Sequence, residues 1–121
     1  MSIEPSTEQK KLLNLTAALE MVGNEKELLI DLLNAFVNDT PFSSEKLDNL
    51  RSDSQEEAAK YVHYYKGAAR QIGAEILAAA GQALEDVLRG KKTGNIEELS
   101  DRFKACYEST QEAVNDSLLI L

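Results

Sequence analysis

Apolar residues recur along this chain at intervals of three and four, and an interval of two never persists long enough to make a strand. Leu12, Leu13, Leu15, Ala18, Leu19 and Val22 give an apolar side to a first short helix. Pro5 stands near its start, Ser6 or Thr7 can cap it, and Gly23 reads as its stop. Residues 1–5 read as loose. Asn24-Glu25-Lys26-Glu27 resembles a capping box, with Asn24 placed to accept from the third amide. Leu29, Leu32, Leu33, Phe36 and Val37 continue on helical spacing, and Phe42, Leu47 and Leu50 extend the same face beyond Pro41. The expectation is one long helix over 25–51, kinked at Pro41, whose ring clashes with the carbonyl four residues back.

Ser54-Gln55-Glu56-Glu57 fits a second capping box, so the next helix starts near residue 55 and ends at Gly73, a residue suited to a left-handed position. Ile76, Leu77, Ala80, Leu84, Val87 and Leu88 make another stripe, closed by Gly90. After the loop-like Lys91-Lys92-Thr93-Gly94, Asn95 and Glu98 open a last helix carrying Ile96, Leu99, Phe103, Cys106, Tyr107, Thr110, Val114 and Leu118. Long helices with apolar stripes and short connections predict an all-α fold. The expected architecture is an antiparallel up-down four-helix bundle, with the short extra N-terminal helix across one end. Residues 1–121 are read as a single domain.

Composition narrows the function. A net charge of −8 disfavours nucleic acid and anionic membranes, both polyanions, as partners. Cys106 has no second cysteine to pair with, and no Cys/His cluster offers a metal site. The first residues lack the basic start and apolar run of a signal peptide, and no apolar stretch suffices for a membrane span. A cytoplasmic location is therefore expected.

The chain has one histidine, His63. At about 100° per residue, Ala58, Tyr61, Tyr65, Ala68, Ala69 and Ile72 fall on the side of the helix opposite it. Glu56, Ala59, Lys60, Lys66, Gly67 and Arg70 fall on the histidine side. The imidazole thus faces away from the core among cations and small residues. Gly67, one turn on, costs about 1 kcal/mol relative to alanine in a helix interior, which suits a place where something must approach the backbone. Lys66 and Arg70 could hold the non-bridging oxygens of a phosphoryl group on the ring. An ammonium some 6 Å away costs an imidazolium about 0.7 kcal/mol in a water-like dielectric, favouring the neutral ring that attack on phosphorus requires.

His63-Tyr64-Tyr65-Lys66-Gly67-Ala68-Ala69-Arg70-Gln71-Ile72-Gly73-Ala74 resembles the H-x-L-K-G-x-x-x-x-[IL]-G-[AL] signature of histidine-containing phosphotransfer domains. The likeness extends over most of the chain, including Leu19–Asn24 and Pro41. Two positions depart from the pattern: Tyr65, where an aliphatic residue is common, and Glu85, where several members carry glutamine bonded to the histidine. The resemblance implies a phosphorelay intermediate of two-component signalling. His63 would take a phosphoryl group from, and return it to, aspartates of response-regulator receiver domains, with a hybrid sensor histidine kinase upstream. Lys66, Gly67 and Arg70 carry over as supporting residues, Tyr64 as part of the docking surface together with the first helix, and Glu85 as a ring N–H acceptor. No cofactor is implied, since Mg²⁺ belongs to the receiver, and the protein is expected to be monomeric.

The alternative is a non-catalytic helical adaptor that uses the same face. A hydrolytic pairing of His63 with Cys106 is disfavoured, because Cys106 lies on an apolar stripe where a buried structural thiol is expected. Without a glycine-rich loop or P-loop, the chain should carry phosphate but not bind ATP, and so is not expected to act as a kinase.

Overall fold

The computed structural model describes residues 11–39 and 41–121. Among them are six helices and no strand: α1 Leu15–Met21, α2 Lys26–Asn38, α3 Ser44–Asp53, α4 Gln55–Gln71, α5 Glu75–Leu88 and α6 Ile96–Ile120. α4 packs on α3 and α5, α6 on α5 and α2, and α1 on α2. These contacts enclose a core in which Leu29, Leu33, Leu47, Val62, Leu77, Leu84 and Phe103 are fully buried. The pairing of residues 5–7 with a helix start lies outside the described residues.

Three local expectations need correction. The stretch 25–51 is two helices, α2 and α3, rather than one kinked helix. Pro41 cannot donate to a continuing helix, and Ser43 opens a new one by accepting from the Lys46 amide at 3.1 Å. The break is held from α4: the Ser43 amide donates to the Tyr61 hydroxyl at 2.9 Å, and the Tyr65 hydroxyl donates to the Pro41 carbonyl at 3.2 Å. Phe42 fills the gap between the two, its ring centroid 5.7 Å from Tyr61 and 5.4 Å from Tyr65. Tyr65 therefore replaces an aliphatic side chain without leaving its hydroxyl unsatisfied.

The second correction concerns α2. Asn24 has a φ of 63°, and Glu25 occupies the N-cap without a side-chain bond. With Gly23 also left-handed, Asn24 belongs to the turn, where its short polar side chain tolerates that region. The third concerns α1, which begins only at Leu15, with Asn14 accepting from the Ala17 amide at 3.1 Å. Leu12 and Leu13 precede it because Lys11–Asn14 is committed to the α4–α5 turn. There the Asn14 amide donates to the Gly73 carbonyl at 2.8 Å, and the Ile76 amide donates to the Lys11 carbonyl at 3.1 Å. Gly73 has a φ of 73°, and a Cβ there would run into the Asn14 carbonyl. Both facts require glycine. The N-caps at Ser54 and Asn95 form as expected, each side chain accepting from the amide three residues on, but the Ser54 amide donates to the Leu50 carbonyl rather than completing a capping box with Glu57.

Candidate functional site

α4 carries His63 on its outer side, with 61% of the side chain exposed. The position follows from the helical period: Val62 and Tyr65 point inward and are buried, so His63 and Tyr64 between them are turned toward solvent. One edge of the ring is nevertheless held. Nδ1 lies 3.0 Å from Oε2 and 3.2 Å from Oε1 of Glu85 on α5. An ionised carboxylate only accepts, so Nδ1 carries the ring proton and donates it to Glu85. Nε2, on the other edge, is left with its lone pair.

Glu85 is 7% exposed and serves as more than a partner to the ring. Lys66 Nζ lies 2.8 Å from Oε1, and Arg89 Nε lies 2.8 Å from Oε2. Burial pushes the carboxyl group up. Hydrogen bonds from Lys66 and Arg89, with the charges of Lys66 and His63, overcome it and hold the group at about 2. The carboxylate is thus ionised throughout the neutral range and accepts from three side chains at once. One glutamine oxygen could not meet all three, and the amide –NH₂ would face a cation.

The wheel placed Lys66 and Ala59 beside His63 on an open front. Both are buried, because α5 crosses α4 closely at this level. Gly81 permits the approach: a Cβ there would lie 3.2 Å from Lys66 Cβ and 3.2 Å from Phe103 Cε1. Lys66 also donates to Gln82 Oε1 at 3.0 Å, and Arg70 reaches the same oxygen at 3.3 Å. The charged group against the ring is thus the Glu85 carboxylate, not an ammonium. Gly67 is exposed, and a Cβ added to it would meet no atom within 4 Å. Tyr64 is 55% exposed, with its ring edge-on to Tyr65 at 5.0 Å.

Two participants were missed in the sequence. Arg89 stands four residues after Glu85, a spacing at which helical ion pairs form, and that spacing was a usable signal. Gln82 had none, since its role depends on the α4–α5 crossing. Cys106 is half-buried rather than fully buried, and burial pushes its thiol up, which disfavours the thiolate a nucleophile requires.

A family model described as Hpt domain matches residues 31–113, a span that contains His63, Glu85 and Arg89. The chain belongs to the Hpt domain family. Neither the curated proteins nor the solved structures gave a match. Hpt domains are phosphotransfer modules of two-component signalling, which work with response-regulator receivers and kinases. In this Hpt domain, the exposed imidazole and its carboxylate partner come from the two helices in most extensive contact, α4 and α5. No helix among the described residues is long and apolar enough to cross a membrane.

Proposed function

We propose that this Hpt domain is a phosphorelay intermediate in which His63 Nε2 carries the phosphoryl group. The observation that supports it best is an exposed ring whose Nδ1–H is held by a buried carboxylate, leaving the outer nitrogen as the nucleophile. In the forward step the Nε2 lone pair attacks the phosphorus of an aspartyl phosphate on a receiver domain. The P–O bond to the aspartate breaks, its electron pair leaves with the carboxylate, and Nδ1 keeps its proton on Glu85. In the return step a receiver aspartate attacks phosphorus, the P–N bond breaks, and the pair returns to Nε2. No ATP is consumed by this chain, and Mg²⁺ is a component of the receiver.

Gly67 leaves the approach to His63 open for the receiver. Tyr64 flanks it on one side. On the other, Met21 of α1 and the alanines Ala78 and Ala83 of α5 line a groove that continues to Arg70 and Gln82. The reading includes a cytoplasmic, monomeric protein whose α2 with α3, α4, α5 and α6 form the antiparallel up-down bundle. Arg70 stands at the rim, where it can reach phosphoryl oxygens once it leaves Gln82.

Incubation with a phosphorylated receiver domain tests the reading. The wild type should acquire an acid-labile phosphate, and His63→Gln should acquire none. Labelling retained by His63→Gln would sink the assignment. Receiver binding by both proteins without labelling of either would instead support an adaptor.

A further inference from the structure

Lys66 invites a role in gripping the phosphoryl group, but its surroundings assign it elsewhere. Its side chain is 6% exposed, and its stem lies against Gly81, where an added Cβ would come within 3.2 Å of Lys66 Cβ. An ammonium has three hydrogens to donate. One goes to Glu85 Oε1 at 2.8 Å and one to Gln82 Oε1 at 3.0 Å. Glu85 meets the ring at Nδ1, whereas a phosphoryl group sits on Nε2, at the opposite edge. Lys66 is therefore buried against the carboxylate on which Nδ1 rests, with its bonds going to Glu85 and Gln82. The terminal torsion of a glutamate is broad and confers little orientation by itself. Here Lys66 holds Oε1 and Arg89 holds Oε2, each at 2.8 Å, and ring Nδ1 lies against both oxygens.

We infer that Lys66 is a positioning residue, acting on transfer through Glu85 rather than on the phosphoryl oxygens. The inference rests on the relay reading for its kinetic readout. The charged groups at Glu85 are His63 and Lys66 from α4 and Arg89 from α5. Arg70 and Asp86 connect to this set only through Gln82. Among the described residues, no charged group of α3 or α6 bonds to Glu85. Removing Lys66 thus takes one of the two fixed positive charges from the carboxylate, leaving Arg89 alone to offset it, and the ring becomes easier to protonate.

The test is a double-mutant cycle on the full chain, comparing wild type, Lys66→Met, Glu85→Gln and the double variant. Two readouts are taken: the rate of phosphate uptake from a purified phosphorylated receiver, and the ¹⁵N NMR titration of the ring. With a single histidine in the chain, selective labelling reports His63 alone. Lys66→Met should lose about tenfold in rate at neutral pH and regain it as pH rises, with its ring titrating at higher pH than the wild type. In the Glu85→Gln background the same change should alter the rate by no more than about twofold. An equal tenfold loss in both backgrounds, with the titration unmoved, overturns the inference. Should Lys66→Met fail to fold with Glu85 partly unpaired, the comparison of Glu85→Gln with the double variant still decides. Should the wild type take up no phosphate, the relay reading falls, and the titrations alone decide whether Lys66 acts through Glu85.

Discussion

Gly67 provides a test in which stability and function should move in opposite directions. It lies in the interior of α4, where glycine is about 1 kcal/mol less favourable than alanine. An added Cβ would meet no atom within 4 Å, so no clash offsets that gain. Gly67→Ala should therefore be about 1 kcal/mol more stable, which for a chain of this size raises Tm by about 3–6 °C. Gly67→Leu should fold as well, since leucine is also a strong helix former and the space around the position is open. Its branched end would lie over His63, one turn back, where the receiver must close on the ring. A partner forced to accommodate that bulk loses on the order of 1–3 kcal/mol, or roughly fivefold to 150-fold in transfer rate. Urea denaturation followed by circular dichroism measures the first effect, and phosphate uptake from a charged receiver measures the second. Wild-type transfer by Gly67→Leu would refute the reasoning, because the glycine would then serve neither packing nor access. A destabilised Gly67→Ala would refute the helix argument independently.

Two further outcomes follow from the fold. Glu85 has a carboxyl group held at about 2 against a usual 4.5. A depressed carboxylate contributes stability that is fully present above the unfolded value and is lost as pH falls through the folded one. At most on the order of 3 kcal/mol should disappear between about pH 4.5 and pH 2. Denaturant midpoints that stay flat across that window would contradict the ion-pair geometry. Gly73→Ala combines a left-handed backbone with a collision against the Asn14 carbonyl, and should cost roughly 2–4 kcal/mol. Urea denaturation checks this, and a loss under 1 kcal/mol would mean that Lys11–Asn14 does not sit on the α4–α5 turn.

Much of the fold was legible because burial leaves a period in the sequence. The stripes of α4, α5 and α6 led to the helices themselves, and the caps at Ser54 and Asn95 marked two of their starts. The α2–α3 break was harder. Pro41 signals a disturbance, but a kink and a new helix begin alike. What separates them is Ser43, together with two tyrosine hydroxyls from α4 that satisfy the freed backbone groups. Asn24 misled for a related reason: the same short polar side chain serves a cap or a left-handed turn, and the neighbouring Gly23 tips it to the turn.

An all-helical chain and a histidine turned away from the core follow from residue order alone, because a residue's direction on a helix depends only on its number. The sequence also carried the Hpt signature. What surrounds the ring depends on how the helices pack. Lysine and arginine side chains are long, and where their charged ends come to rest depends on the neighbouring helix rather than on their own. Gly81 brings α5 close enough to bury Lys66 and to set Glu85 against His63. What reads on a wheel as a cationic front is, in three dimensions, an imidazole held by a buried carboxylate that Lys66 and Arg89 also bind, while Arg70 reaches Gln82.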